Sequence, residues 1–172
     1  MQKYQWLSAT DLQVAMQAQG ASLTGICAVE QLRGIAINSR AVMPGDVFVA
    51  LKGNRTDGHQ FVGAAFKNGA ALAIVARSRT DVCTDCPDGA LIWVDSPLTA
   101  LQQLAKWYRR KYLTKVIAIT GSNGKTIIKD ALGRILVDQK PLVSPGSYNG
   151  QLGLPLAILS GRLDQRLAIL EV

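Results

Sequence analysis

The chain has 172 residues, 48% hydrophobic and 18% charged, which excludes a disordered chain and is enough to bury a core without disulfide staples. Its net charge of +7 lies wholly in the second half: residues 1–95 carry 8 Lys+Arg against 8 Asp+Glu, residues 96–172 carry 11 against 4. No apolar run reaches the ~18 residues of a membrane span, the start lacks a secretory apolar core, and three cysteines suit a reducing cytoplasm better than a disulfide framework.

Taken in chain order, Thr10 is placed to cap a helix carrying Leu12, Ala15 and Met16, with Gly20 as its stop. Gly34–Ile37 and Val47–Leu51 read as short strands, with a turn at Met43-Pro44-Gly45-Asp46 between them. Phe61, Val62, Ala65 and Phe66 have helical spacing, which predicts a helix from His59 to Asn68 ended by Gly69. Leu72–Ala76 and Leu91–Val94 are strand-like, and the polar stretch from Arg77 to Gly89 is a loop. Ser96-Pro97 opens a helix running to about Tyr112, with Leu98, Leu101, Leu104, Ala105 and Tyr108 on its inner face. Val116–Thr120 is a strand. Lys125–Asp138 is a helix expected to bury Ile127, Ile128, Ala131, Leu132, Ile135 and Leu136. Leu142–Val143 and Leu167–Val172 are further strands, and the last of these reads as a core strand after which the sheet is cut short.

Strands alternating with helices predict an α/β fold with a mainly parallel sheet. The charge change and the Ser96-Pro97 start divide it into a small N-terminal α/β domain, residues 1–95, and the first part of a second, truncated α/β domain, residues 96–172.

The strongest chemical signal is the run Val116-Ile-Ala-Ile-Thr120-Gly121-Ser122-Asn123-Gly124-Lys125-Thr126. An apolar strand enters a glycine loop, and Lys-Thr opens an amphipathic helix. This is the arrangement of a phosphate-binding P-loop, here in the short form Gly-x-x-Gly-Lys-Thr. Loop amides and the helix dipole favour phosphate oxygens. Lys125 can reach the outer phosphates, and the Thr126 hydroxyl can ligate Mg²⁺. Glu171, at the carboxyl end of an apolar strand, is a second candidate Mg²⁺ ligand. A nucleotide such as ATP, with Mg²⁺, is therefore the expected ligand, and the sparse aromatics (6%) argue against a stacking platform for nucleic acid.

Weaker signals remain. The stretch from Ser144 to Pro155 reads as a Gly/Pro-rich loop with amide side chains, including Asn149. The stretch Asn38-Ser39-Arg40 to Lys52-Gly53, then Asp57-Gly58-His59, has donors for an anion. Cys83-x-x-Cys86 lacks the second ligand pair of a structural zinc site. His59, the single histidine, reads as a helix-start or packing residue rather than a catalyst.

These residues resemble the Mur ligase family. The segment Ile119-Thr-Gly-Ser-Asn-Gly-Lys-Thr126 is similar to its ATP loop, short spacing included. Ser39-Arg40, Pro44-Gly-Asp-Val-Phe-Val-Ala-Leu-Lys-Gly53, Asp57-Gly-His-x-Phe-Val62 and Gly69-Ala70 are similar to its uridine-nucleotide domain. Lys129 in Gly-Lys-Thr-x-x-Lys, with Tyr148-Asn149-x-Gln151-x-Gly153-x-Pro155, is similar to the branch that adds D-alanyl-D-alanine to UDP-N-acetylmuramoyl-tripeptide, and especially to ligase halves fused to alanine racemase. Asn38 in place of Asp, Ile127-Ile128 in place of hydroxyl residues, and Gly150 in place of Asn or Ser depart from the pattern.

The resemblance implies a cytoplasmic ATP-dependent ligase of peptidoglycan precursor synthesis, working through an acyl phosphate without nucleic acid or membrane insertion. It implies a UDP-substrate domain at 1–95 and the opening of a central ATPase domain at 96–172, with the remaining groups lying past Val172 and the piece inactive alone. By this reading Lys125 is catalytic; Thr120, Gly121, Ser122, Asn123, Gly124, Lys125 and Thr126 hold ATP; Ser39, Arg40, Lys52 and Asn149 face the UDP-linked substrate; Thr126 and Glu171 hold Mg²⁺. The branch adding the third stem residue and a non-catalytic nucleotide-binding module stand as alternatives.

Overall fold

The computed structural model describes residues 6–172 except 19, 26, 28, 55, 86–88 and 147, with only the backbone of 83–85. The Cys83 side chain, Cys86 and Ser147 thus lie outside the described residues. The chain forms two compact units, Met1–Leu101 and Gln102–Val172.

In the first unit β1 (Leu7–Ser8) runs straight into α1 (Ala9–Gln17). Its cap is Ser8, not Thr10: the Ser8 hydroxyl accepts from the Asp11 N–H at 3.0 Å, and Thr10 falls in the first turn. Leu12, Ala15 and Met16 are buried as their spacing requires. β2 (Ser22–Thr24), β3 (Gln31–Leu32), β4 (Ile35–Ala36) and β5 (Val47–Val49) follow. Asp46 closes the turn before β5, its carboxylate accepting from the Met43 N–H at 2.9 Å. The helix expected from His59 begins as a 3-10 turn, Gly58–Phe61, and becomes α2 only at Val62–Lys67. β6 (Leu72–Ala76) and β7 (Ala90–Val94) complete the unit's strands, and a 3-10 turn, Thr80–Asp85, lies within the expected loop between them.

Five strands form one sheet in the order β2-β7-β6-β5-β4, parallel except for β2; β1 and β3 pair separately. All five residues of β6 are buried, as expected where both faces of a parallel sheet are covered. On one face Phe48, Ala73, Val75 and Leu91 pack with Val62 and Ala65 of α2. Gly89 lets this layer close: a Cβ there would lie 2.7 Å from the Phe66 ring. Because β4, β5 and β6 are parallel, their carboxyl ends share one edge, and the segments leaving it carry Ser39-Arg40, Lys52, and Arg77 with Arg79.

α3 (Pro97–Tyr112) starts at Ser96-Pro97 as the sequence requires, yet the division between units falls within it at 101/102, not at residue 95. In the second unit β8 (Lys115–Ile119), α4 (Lys125–Ile135), β9 (Leu142–Val143), α5 (Gly150–Leu159) and β10 (Leu167–Glu171) follow. The sheet is parallel in the order β8-β10-β9, so β10 is central, with Glu171 beside Ile119.

Two expectations are corrected in this unit. First, the face of α4 expected to be buried is not: Ile127 and Ile135 are 76% and 73% exposed, Ile128 and Ala131 are also exposed, and Leu132 and Leu136 are half-buried. The face turned to the sheet is Thr126, Lys129, Gly133 and Leu136, spaced by three and four as one helix side requires. Polar bonds of Thr126 and Lys129 set this rotation, and Gly133 lets the helix close on β9, since a Cβ would lie 2.9 Å from Val143 Cγ2. Second, half of the expected loop Ser144–Pro155 is helix α5, with Pro155 inside it. Proline removes the N–H that would bond the carbonyl four residues back. That carbonyl, on Gln151, accepts instead from Gln102 Nε2 at 3.0 Å.

Candidate functional site

β8 ends in buried Ile119, and Thr120 to Gly124 cross an exposed loop before α4. Gly124 sits at φ +76°, ψ 0°, immediately before the helix. A Cβ there would meet nothing within 4 Å, so the glycine is required by its left-handed backbone and not by crowding. No side chain caps this helix. The first hydrogen bond inside it is Ile128 N–H to the Gly124 carbonyl at 3.0 Å. The earlier N–H groups have no helical acceptor, which makes this end a fitting place for an anion. The Lys125 ammonium bends back across the loop and donates to the Gly121 carbonyl at 2.8 Å, over the space that phosphates would fill.

Glu171 ends the central strand and is buried (4% exposed). Its Oε2 accepts from the Thr126 hydroxyl at 2.8 Å and its Oε1 from Asn149 Nδ2 at 3.2 Å. Its own N–H donates to the buried Ser144 hydroxyl at 3.2 Å, just where the pairing of β9 with β10 has ended. The Thr126 hydrogen bond most of all, then that of Asn149 and the charges of Lys125 and Lys129, outweigh burial and hold the Glu171 carboxyl below its ordinary range. It is thus an anion whose oxygens could hold a cation. Hard oxygen donors suit Mg²⁺, and one carboxylate with one hydroxyl matches its habit of keeping water or phosphate oxygens as remaining ligands. The structure therefore brings together four residues named from sequence: Lys125 and Thr126 at the start of α4, with Glu171 and Asn149 facing them.

Two participants were missed as site residues. Lys129, 1% exposed, donates to the Gly146 carbonyl at 2.6 Å; its signal was its position three residues after Thr126, on the same helix side. Ser144 is the first polar residue after β9, and nothing in its local sequence marks it.

In the first unit Ser39 opens a 3-10 turn, Ser39–Ala41, capped by the Asn38 side chain, which accepts from the Arg40 N–H at 3.0 Å. Ser39 is buried and its carbonyl accepts from Asn68 Nδ2 at 2.8 Å, while Arg40 and Lys52 are exposed. Lys52 bridges the backbone of Asp57. Among the described residues no hydrogen bond joins Ser39 or Arg40 to Lys52; what they share is the sheet's carboxyl edge. Behind Lys52 lies a network that the sequence did not disclose. Asp57 accepts from the His59 ring Nδ1 at 2.6 Å and from Arg79, while His59 Nε2 accepts the Ala76 N–H at 2.9 Å. The imidazole is therefore the tautomer with its proton on Nδ1.

Comparison with known proteins matches the sequence pattern of "Mur ligase family, catalytic domain" to residues 31–109, a stretch that ends before the glycine loop. A Bacillus subtilis protein named UDP-N-acetylmuramoyl-tripeptide–D-alanyl-D-alanine ligase is 41% identical over 142 residues, covering 82% of this chain and 30% of its own length. A crystal structure of MurF from Acinetobacter baumannii superposes with a TM-score of 0.80 at 33% identity, over 94% of this chain and 35% of that one. The MurF ligase from Thermotoga maritima, solved in complex with ADP, gives 0.65 at 35% identity, over 80% of this chain and 31% of that one. The chain spans about a third of the length of these relatives.

Proposed function

The chain belongs to the Mur ligase family, and we propose that it is the uridine-nucleotide and phosphate-binding portion of a cytoplasmic ligase that joins D-alanyl-D-alanine to UDP-N-acetylmuramoyl-tripeptide using ATP. The observation that carries this reading is the Thr126 hydroxyl on the Glu171 carboxylate, set beside a glycine loop that ends in Lys125. The relatives' names supply the substrates.

The reaction asks little covalent chemistry of the protein. A carboxylate oxygen of the tripeptide attacks the γ-phosphorus of ATP, forming an O–P bond as the bond to ADP breaks. The dipeptide amine then attacks the acyl carbon, a C–N bond forms, phosphate leaves and the amine sheds a proton. Both steps gather negative charge on phosphoryl oxygens, and fixed positive groups stabilise it. Lys125 leaves the Gly121 carbonyl to meet those oxygens, and the N–H groups at the start of α4 hold the rest. Thr126 and Glu171 hold Mg²⁺, which neutralises phosphate charge when bound. Asn149 is aimed at the same point and faces the UDP-linked substrate. In the first unit Arg40 gives a planar two-pronged contact to diphosphate oxygens, with Ser39 and Lys52 on the same edge. Local donors must do this work, because residues 1–95 have no net charge.

The test is calorimetric titration of MgATP into the 172-residue chain and its Lys125→Ala variant. A lost charge-assisted contact is worth ~1.5–3 kcal/mol, so affinity should fall at least about tenfold with the circular dichroism unchanged. Equal affinity in the variant would remove the phosphate-loop assignment.

A further inference from the structure

We propose that Lys129 is a positioning residue: by tying the loop between β9 and α5 to helix α4, it holds the Asn149 amide on the Glu171 carboxylate. The significance of that contact rests on reading Asn149 and Glu171 as the ligand-facing pair. The tie itself can be tested without any ligand.

Lysines are almost never fully buried without a partner that compensates the charge. Lys129 is 1% exposed, yet its short bond is to a neutral group, the Gly146 carbonyl at 2.6 Å. The nearest carboxylate oxygen, on exposed Asp130, is 3.6 Å away. A cation kept in such a place is costly to fold around, and a methionine would fill the same space at less expense. Besides the charge it turns on Glu171, the ammonium supplies what a methionine cannot, a donor for that carbonyl.

The carbonyl belongs to the segment between β9 and α5. Among the described residues between β9 and α5, one backbone bond closes within the segment, from the Tyr148 N–H to the Pro145 carbonyl at 3.2 Å, and the Ser144 N–H donates to the Ile169 carbonyl of β10 at 3.0 Å. Gly146 takes a left-handed backbone, φ +51°, which turns its carbonyl toward the helix. Three bonds made through side chains then fix its described residues. Ser144 accepts from the Glu171 N–H, Gly146 accepts from Lys129, and Asn149 donates to Glu171. The middle tie comes from α4, the helix that the glycine loop opens. It thereby couples the loop carrying Asn149 to the element carrying Lys125 and Thr126.

The experiment is amide NMR on the ¹⁵N-labelled 172-residue chain, with the Asn149 side-chain NH₂ identified by its loss in Asn149→Ala. In the unaltered chain its two protons should be well separated and slow to exchange. In Lys129→Met they should converge and exchange at least about tenfold faster, while the backbone amides of β10 keep their protection. Lys129→Arg, which can still donate to Gly146, should restore the slow signal. An unchanged Asn149 signal in Lys129→Met overturns the proposal. So does an equal loss of protection throughout residues 102–172, which would make Lys129 a packing residue. Should Lys129→Met fail to fold, Asn149→Ala decides: the Lys129 ammonium signal should survive, and its disappearance would show mutual packing instead of a directed tie. No nucleotide is added, so failure of the ATP-loop reading in the Lys125→Ala titration and failure of this proposal are separate results.

Discussion

At the scale of single residues, His59 shows how a functional-looking side chain can act by holding backbone. Both ring nitrogens are engaged, one with Asp57 and one with the Ala76 N–H at the end of β6. Replacing it by Phe leaves a buried N–H without an acceptor, which costs about 1–3 kcal/mol. Urea denaturation should show that loss, and a midpoint unchanged from the parent would mean the network is ornamental. Asp57 adds a pH dependence. Burial pushes its carboxyl up, but the His59 backbone N–H, the His59 ring and the Arg79 charge outweigh this and hold it below the ordinary carboxylate value. A group depressed in the folded state stabilises the fold above its unfolded pKa, near 3.9. That contribution fades as pH falls through the depressed value. Stability should therefore be level above about pH 5 and decline below about pH 4, and the decline should be smaller in His59→Phe. His59 was legible in the sequence as a helix-start or packing residue, and its partners were not. Ala76 lies 17 residues from His59, and Arg79 lies 22 from Asp57; no local pattern links them.

At the scale of elements, legibility followed the strength of the pattern. β6 and β10 are continuous apolar runs, which local sequence states directly. The strand, glycine and Lys-Thr order likewise located the loop and the start of α4. The rotation of α4 was not legible, because Ile127, Ile128, Leu132, Ile135 and Leu136 mark one side of the helix as apolar, and most of that side faces solvent. Long-range polar bonds to Glu171 and Gly146 chose the face instead. α5 was hidden because Gly150, Gly153 and Pro155 read as loop residues, while the side chain that stands in for the proline's missing donor is Gln102, far away in sequence. The corrected rotation has a measurable consequence. Ile127→Lys and Ile135→Lys should each change stability by no more than about 0.5 kcal/mol, as exposed substitutions do. Gly133→Ala should cost about 1–3 kcal/mol by pushing α4 off Val143. Thermal melts of the three variants check this, and a large loss at Ile127 with none at Gly133 would restore the face first expected from the sequence.

Across the whole molecule, the two units have unequal means of holding their sheets. The first unit's sheet has five strands, and its β6 is buried at every residue, between covered faces. The second has three strands, and in β8 only Ile119 is buried, with Lys115 and Ala118 exposed. Apolar burial is worth about 25 cal/mol per Å², so β8 has less to resist local opening, and its outer edge pairs with no strand among the described residues. The charge distribution adds to this, since the whole excess of +7 falls on residues 96–172 and like charges oppose compaction. That asymmetry was legible from composition. The division at 101/102 was not, because α3 runs unbroken through it and neither residue type nor periodicity changes there. Amides of β8 should accordingly exchange with solvent at a lower opening free energy than those of β6, and added salt should narrow the gap by screening the cations. Hydrogen exchange measured at low denaturant, at two salt concentrations, reads both quantities. Equal opening energies for β6 and β8 would mean that the two units unfold as one body, and the smaller sheet would then need a source of stability beyond its own burial.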